Sequence, residues 1–418
     1  MNRHFTDIKI GDVCQVGDGA HTSIKRKESG VLYLSSRNFK DGGLDLTKVY
    51  YISEEDFNKH FKDGSKAITK TKAGDVALSI IGTIGEPYIV KPTDRFGLSS
   101  AVAFLRPNEE LVNSEYLYYW LKGPEFQQAV YNIKGGVAQG YVSLDMIKGL
   151  PFRQFSKIEQ NRISSFLKNY DSLIENNNRR IAILEDMAQS LYREWFVNFR
   201  YPSHEDNLDT DGNPKLIDSP LGQIPEGWEI MPISACYKTS SGGTPSRKQV
   251  DYYGEDHWWV KTKELKDGFV VSVDECISEL GLKKSSAKLF PKHSVVMAMY
   301  GATIGRLGIL SEEASTNQAC CALLPLNDNM SNWFIYLLLL NDRKKLISLG
   351  QGAAQQNISQ TVIQGFKILV PSGDLLNRFN QIVEPMFLSI ENLYKRNMNL
   401  KQQRNMLLPK LISGQIEL

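Results

Sequence analysis

Two long segments of the chain carry apolar residues at alternating steps of four and three. This heptad spacing predicts two coiled-coil helices. The seam positions of the first segment are Ile163, Leu167, Tyr170, Ile174, Asn177, Ile181, Leu184, Ala188, Leu191 and Trp195. Those of the second segment are Phe379, Val383, Met386, Ile390, Leu393, Asn397, Leu400, Arg404, Leu407 and Leu411. Pro385 lies near the start of the second helix, where we expect it to kink the helix or delay its first turn.

Each seam contains one asparagine among mostly apolar positions. If the two helices pack antiparallel with full overlap, Ile163 faces Leu411 and Asn177 faces Asn397. A buried amide is costly unless it is hydrogen-bonded, and a seam asparagine is known to fix helix register. This arrangement predicts a hydrogen bond between Asn177 and Asn397. The alternative is that both side chains turn outward to solvent.

Outside these helices, short apolar runs separated by glycine-rich turns are typical of strands in a mixed α/β domain. The clearest runs are Val31–Leu34, Val76–Ile81 and Ala101–Leu105. Ser53 precedes three acidic residues and is expected to cap a helix that carries Phe57 and Phe61 on one face.

The second half of the chain repeats the first in the same order. Matching segments are Lys40-Asp41-Gly42 with Lys266-Asp267-Gly268, Val76–Gly85 with Val295–Gly305, Ala101–Pro107 with Ala319–Pro325, and Gly136–Gln139 with Gly352–Gln355. From Gly136 onward the copies align without a gap, so Ser143 matches Ser359. Asn113 and Ser331 are expected to cap matching helices. Ordered matches along the whole length indicate two copies of one unit.

These patterns together predict an α+β fold. It contains two similar mixed α/β globular domains separated by two long helices, which form an antiparallel coiled coil with a pseudo-twofold internal repeat. The expected boundaries are 1–155 for the first globular domain, 156–200 for the first helix, 201–227 for a linker rich in Pro, Gly and acidic residues, 228–371 for the second globular domain, and 372–418 for the second helix.

Composition narrows the class of protein. The chain has 418 residues, of which 42% are hydrophobic and 23% charged, as in soluble globular proteins with more than one domain. The polar start Met1–Asp7 lacks the apolar stretch of a signal peptide. The five cysteines form no C-x-x-C pair, which favours a reducing compartment and thiols that serve as small apolar side chains. We therefore expect a cytoplasmic protein.

The net charge of +2 does not by itself indicate a nucleic-acid partner, but the basic residues are locally clustered. Such clusters are either solvated faces or contacts to DNA phosphates and bases. The candidate DNA-binding residues lie in loops of both domains: His21, Thr22, Lys25, Arg26, Lys27, Arg37, Lys40, Lys134, Gln139 and Tyr141 in the first, and Thr244, Arg247, Lys248, Lys261, Lys263, Arg306, Gln351, Gln355, Gln356 and Asn357 in the second.

The loop 350–357 is the strongest candidate for reading bases. Glutamine and asparagine suit adenine, and glycines let the backbone approach the DNA. The alternative is an ordinary polar loop before a helix that Ser359 caps. A helix of about 40 residues spans roughly 60 Å, whereas half-sites one DNA turn apart are separated by about 34 Å. Two differing domains held apart by such helices are suited to a bipartite, asymmetric DNA target.

Several motifs resemble those of type I restriction–modification specificity subunits, in an order that covers nearly the whole chain. They are Gly17–Thr22 and Ser241–Ser246 at the domain starts, Gly222–Trp228 before the second domain, Gly301–Gly305, and the ending Leu408–Leu418. The strand ends Leu150-Pro151-Phe152 and Val370-Pro371-Ser372 depart from the family, because they lack its common doubled proline. The resemblance implies that the globular domains are target-recognition domains.

The same resemblance implies the partners. These are double-stranded DNA, two methyltransferase subunits that dock on the helices, and ATP-dependent restriction subunits. The chain would have no chemistry and no metal of its own; S-adenosylmethionine, ATP and Mg²⁺ are expected only in the partner subunits.

Two other functions compete with this interpretation. The first is a metal-dependent nuclease, since Asp251, Glu264 and Lys266 form a degenerate nuclease-like pattern. No phosphate-binding G-x-x-x-x-G-K-[ST] motif, dinucleotide motif or amino-methyltransferase motif is present. The second is a coiled-coil scaffold without base-specific readout.

Overall fold

The computed structural model describes residues 5–40, 42–62, 68–135, 140–208, 215–350, 357–371 and 373–418. Contacts divide the chain into two compact units. The first unit comprises Met1–Ile174 with Leu400–Leu418, and the second comprises Glu175–Asn399. Each unit thus combines one globular part with a stretch of both long helices, and the domain boundaries expected from the sequence stay a prediction.

The strands of the first half, in chain order, are β1 (Thr6–Lys9), β2 (Cys14–Asp18), β3 (Val31–Leu34), β4 (Phe39–Lys40), β5 (Gly43–Leu44), β6 (Tyr50–Ile52), β7 (Val76–Ser79), β8 (Pro87–Ile89), β9 (Phe96–Leu98), β10 (Val102–Pro107) and β11 (Pro151–Gln154). The helices are α1 (Ile10–Val13), α2 (Glu54–His60), α3 (Ser114–Lys122), α4 (Pro124–Gly135), α5 (Leu144–Gly149) and the long α6 (Lys157–Phe196).

The second half follows the same plan. Its strands are β12 (Leu216–Ser219), β13 (Gly222–Pro225), β14 (Glu229–Pro232), β15 (Tyr237–Ser241), β16 (Tyr253–Gly254), β17 (His257–Val260), β18 (Gly268–Val270), β19 (Cys276–Ile277), β20 (Leu289–Phe290), β21 (Val295–Ala298), β22 (Leu307–Leu310), β23 (Ala314–Thr316), β24 (Cys320–Pro325) and β25 (Lys367–Val370). Its helices are α7 (Ile233–Cys236), α8 (Glu279–Lys283), α9 (Asn332–Ser348), α10 (Gln360–Gly365) and the long α11 (Gly373–Ile412).

The globular part of the first unit is layered around the antiparallel sheet β2-β10-β7-β8. Side chains alternate between the faces of a strand. Ala103 and Leu105 of β10 therefore pack with α3 and the start of α6, whereas Val102 and Phe104 pack with the sheet β6-β3-β9. The far side of β3 is covered by α2 through Phe57, which stacks on Phe61 at 5.4 Å between ring centroids.

The globular part of the second unit repeats these layers. The sheet β15-β24-β21-β22-β18 packs on helices with one face and towards the sheet β16-β19-β17-β23-β20 with the other. Cys321 and Leu323 of β24 lie in the helix-facing core, and Cys320 and Ala322 in the other core. Burial raises the pKa of the Cys321 thiol to about 12. Of the five unpaired cysteines, all but Cys276 are buried, as expected for small apolar side chains.

The long helices run antiparallel within each unit. In the first unit, Asp171 of α6 forms an ion pair with Arg404 of α11. In the second unit, the rings of Trp195 and Phe379 lie 5.7 Å apart, and Asn177 Nδ2 donates a hydrogen bond of 2.8 Å to Asn397 Oδ1. The predicted asparagine pair is thereby confirmed. Together with the repeated layers, this confirms the α+β architecture of two similar domains and two long antiparallel helices.

The asparagine pair has a third member that the heptad pattern did not indicate. Asn397, only 5% exposed, also donates from Nδ2 to Asn178 Oδ1 at 2.8 Å. Its buried amide is therefore used both as donor and as acceptor, which offsets the cost of burying it. Asn177 itself is half-buried and Asn178 exposed, so the cluster lies at the edge of the seam.

The structure adds to two sequence-based expectations about these segments. Pro385 does not delay α11, which is helical from Gly373 to Ile412, and the expected kink stays a prediction. Pro385 is exposed, as is Gln381, whose carbonyl loses its usual helical donor, so solvent can hydrogen-bond that carbonyl. The segment 201–227, expected as a linker, contains the antiparallel hairpin of β12 and β13, and Ile224 is buried.

The apolar face of the helices is wider than the heptad pattern indicates. Met386, Leu191 and Leu407 are half-buried and pack against the core, and their neighbours Phe387 and Tyr192 are buried. The helices pack against a globular core as well as against each other, so this face exceeds a two-position seam. Phe387, for example, stacks on Trp333 of α9 at 4.8 Å between ring centroids.

The predicted helix caps are confirmed. Ser53, Asn113 and Ser331 each accept a backbone N–H from the first turn of the helix that follows. Ser143 and Ser359, which align in the repeat, do the same for α5 and α10. None of the helices in the described part of the chain is long and apolar enough to cross a membrane.

Candidate nucleic-acid interface

The first domain gathers two of its candidate arginines around one tyrosine. Tyr50 is the first residue of β6, which pairs with β3. Arg26 lies in the loop before β3. Arg37 lies in the short helical turn Ser36–Asn38 that follows β3. The guanidinium carbon of Arg26 is 3.8 Å from the centroid of the Tyr50 ring, and that of Arg37 is 4.7 Å away. Both arginines are exposed.

The other candidates of the first domain do not join this cluster by any described contact. His21 Nε2 lies 2.6 Å from Asp18 Oδ2, and its side chain is 74% exposed. Tyr141 is 43% exposed and pairs through its backbone with Ile81. Thr22, Lys25, Lys27 and Lys40 are exposed, and Lys27 and Lys40 pair through their backbone with Tyr51 and Gly43. Gln139 and the side chain of Lys134 lie outside the described residues.

In the second domain, the candidate basic residues other than Lys248 are held by carboxylates. Arg247 donates to Glu275 through both terminal nitrogens, at 2.9 and 2.7 Å, and Lys261 also binds Glu275. Lys263 pairs with Asp274. Hydrogen bonds from Arg247 and then Lys261 lower the pKa of Glu275 to about 2, so this carboxylate is charged throughout the neutral range.

Two further candidates of this domain have structural partners. Arg306 pairs with Asp267, a residue with a left-handed backbone (φ 63°) that Arg343 also binds. Thr244 donates from its hydroxyl to Gln318. Lys248 and Asn357 are exposed. The candidates Gln351, Gln355 and Gln356 lie outside the described residues. The role of all these residues in DNA binding stays a prediction.

Tyr50, Asp274 and Glu275 were not among the sequence candidates. Tyr50 is the first residue of β6, and Asp274 and Glu275 directly precede β19. Nothing in the local sequence marks any of the three as a partner of a basic side chain. Strand register in the structure places Tyr50 and Glu275 at equivalent positions of the two domains, and the sequence repeat alone did not indicate this match.

The nuclease-like pattern does not assemble. Glu264 Oε2 accepts the backbone N–H of Lys261 and so closes the turn Thr262–Glu264, while Asp251 is exposed in another short turn. Glu264 Oε1 is buried without a hydrogen-bond partner among the described residues. Within the described ranges, no group of three or more His, Cys, Asp or Glu residues is arranged to hold a metal ion.

Comparison with known proteins agrees with the presence of two similar domains in the chain. Residues 2–186 and 225–384 match the family model for the type I restriction modification DNA specificity domain. The type I restriction enzyme MjaIX specificity subunit of Methanocaldococcus jannaschii is 26% identical, over 98% of this chain and 92% of that protein. The HindI specificity subunit of Haemophilus influenzae is 24% identical, over 82% of this chain and 87% of that protein.

A solved structure shares the fold. The S subunit of a type I restriction-modification system from M. genitalium superimposes with a TM-score of 0.60 at 16% identity, over 98% of this chain and 96% of that one. The fold, the two matched regions and their order define a class of DNA-specificity proteins with two recognition domains and long helices. The chain belongs to the type I restriction modification DNA specificity family. The resemblance found in its motifs is thereby confirmed.

Proposed function

We propose that the chain is the subunit that selects the DNA target of a type I restriction–modification complex, with each globular domain reading one half of a bipartite sequence. The observation that carries this proposal is that the family domain occurs twice in one chain, with different side chains at equivalent positions of the candidate interface. Two copies of one fold with unlike reading surfaces suit an asymmetric target.

The partners follow from the same proposal. The long helices set the distance between the two readers and dock two methyltransferase subunits, which bind S-adenosylmethionine. Restriction subunits bind ATP and Mg²⁺ and add cleavage. The chain alone catalyses neither reaction, but the adenine methylation and ATP-dependent cleavage by the complex depend on it.

A domain exchange tests the proposal. Residues 228–371 are replaced by the same region of a related subunit, and the chimaera is assembled with the methyltransferase subunits of the host system. Methylated adenines are then mapped across a genome. We expect one half of the methylated motif to change and the other half to be retained, because the first domain is untouched.

Two results contradict the proposal. If both halves of the motif change together, the domains are not independent readers. If the native complex needs the chain for assembly but methylates without sequence preference, the coiled-coil scaffold becomes the better description. The native chain assembled in parallel is the matched control for assembly and for methylation rate.

A further inference from the structure

Tyr50 and Glu275 occupy equivalent positions in the two domains. In the first domain, β3 pairs with β6 so that Tyr33 faces Tyr50. In the second domain, Trp259 takes the place of Tyr33 as the third residue of β17, and its backbone N–H donates to the carbonyl of Glu275 at 3.1 Å. The equivalence rests on strand register and not on sequence similarity.

Basic side chains converge on this position in both domains. Arg26 and Arg37 lie over the Tyr50 ring, whereas Arg247 and Lys261 bind the Glu275 carboxylate. The local charge therefore differs. Among the first-domain residues that the structure describes, neither Arg26 nor Arg37 has a carboxylate partner, so two positive charges share one neutral ring.

The Tyr50 hydroxyl responds to this excess charge. A hydrogen bond from Arg37, the charge of Arg37 and then the charge of Arg26 lower its pKa below the usual value. Two guanidinium groups within cation–π distance of one ring repel each other, and an anion bound between them would relieve that repulsion. In the second domain the Glu275 carboxylate already fills this role.

Guanidinium groups bind phosphate oxygens in pairs of parallel hydrogen bonds, and their geometry suits DNA phosphates. We propose that Arg26, Tyr50 and Arg37 form a binding site for a DNA backbone phosphate, and that Glu275 closes the equivalent site of the second domain. The inference rests on the proposed function, in that the chain binds DNA. The first domain then supplies more of the sequence-independent, salt-dependent part of binding than the second.

The dependence of affinity on salt measures this directly, because each phosphate neutralised by a protein cation releases counterions. The assay uses the full chain with its methyltransferase subunits and a duplex of random sequence, between 50 and 200 mM salt. The slope of log K against log salt is negative, and for Arg26→Ala/Arg37→Ala we expect its magnitude to decrease by about 0.9. The loss of affinity across this fourfold salt range then becomes about 3.5-fold smaller.

Glu275→Gln should act in the opposite direction. The neutral amide releases Arg247 and Lys261 for a phosphate. The magnitude of the slope should then increase by about 0.9 for each additional phosphate that these side chains neutralise. Arg95→Ala is the matched control, since Arg95 also lies over a ring of the first domain, that of Phe57 at 5.1 Å, but pairs with Glu54. Its removal should leave the slope unchanged.

Equal slopes for the double arginine variant and the Arg95→Ala variant would overturn the phosphate site. An unchanged slope for Glu275→Gln would overturn the asymmetry between the domains. Circular dichroism of each variant verifies that it is folded, and the two opposite shifts cannot both arise from partial unfolding. Failure of the proposed function has a different signature: the predicted slopes persist, but methylation of genomic DNA shows no bipartite motif.

Discussion

Removing the amide of Asn397 tests whether the asparagine cluster stabilises the helix pair. Asn397→Ala deletes a side chain that donates one hydrogen bond and accepts another, both at 2.8 Å, in a position only 5% exposed. Asn177→Ala deletes only the donor to Asn397 and leaves the buried Asn397 Oδ1 without that partner. The two variants and their combination form a double-mutant cycle.

The magnitudes follow from the hydrogen bonds. A protein hydrogen bond contributes about 1 kcal/mol net, so Asn397→Ala should lower the free energy of unfolding by about 2 kcal/mol. Asn177→Ala should lower it by about 1–3 kcal/mol, since a buried acceptor is left unpaired. The double variant should lose less than the sum of the two, by a coupling energy of about 1 kcal/mol.

Urea unfolding followed by tryptophan fluorescence is the appropriate assay. Five of the six tryptophans lie in the second unit, which also holds the cluster: Trp195, Trp228, Trp258, Trp259 and Trp333. Asn176→Ala, one residue away and exposed, is the control for helix propensity. Strictly additive losses, with a coupling below about 0.3 kcal/mol, would refute the claim that the amides stabilise each other.

Two other changes in α11 have defined outcomes. Glu391, 5% exposed, accepts from His293 at 2.8 Å and pairs with Lys292 and Lys395. Burial alone would raise its pKa, but these hydrogen bonds outweigh burial and hold the pKa below 4.5. Glu391→Gln should therefore cost about 1–3 kcal/mol at pH 7, and in urea titrations the deficit should shrink as the pH falls below 4.5; a deficit independent of pH would exclude a role of the charge. Pro385→Ala should raise the free energy of unfolding by up to about 3 kcal/mol, and with it the thermal midpoint, because an interior proline opposes a helix. A lower midpoint would contradict this expectation.

The strongest periodicities in the chain were enough to predict its architecture. The heptad pattern located both long helices and set their register, down to the facing of Asn177 and Asn397. The order of matching segments predicted two similar domains. Local pattern could not predict tertiary context. Pro385 stays inside a helix at an exposed position, and Phe387, outside the heptad pattern, is buried beside the half-buried Met386.

The candidate interface was harder to predict for a physical reason. Lysines and arginines can be recognised in a sequence, but whether each is free or neutralised depends on a partner brought in by folding. Arg37 and Lys263 match in the repeat and were equal candidates, yet among the residues that the structure describes only Lys263 has a carboxylate beside it. Charge counting over loops therefore overestimates the basic surface of the second domain.

The internal repeat shows where a structural role is kept although the residue differs. At the turn after β3, Asn38 Oδ1 accepts the backbone N–H of Ser35 at 3.0 Å, and in the second domain Glu264 Oε2 accepts that of Lys261 at 2.6 Å. The residues differ but the turn is retained, because either side chain supplies the acceptor that the turn needs.

Asn38 and Glu264 differ in the hydrogen bonds that their side chains can donate. Asn38 also donates through Nδ2 to the carbonyls of Asp45 and Lys48, both at 3.0 Å, and so fixes the loop that leads to Tyr50. The carboxylate of Glu264 has no hydrogen to donate, and the loop leading to Glu275 has to be held by other contacts, among them the ion pair of Lys263 with Asp274. Asn38 in the first domain thus goes with two arginines over the neutral Tyr50 ring, whereas Glu264 in the second domain goes with basic side chains paired to Glu275.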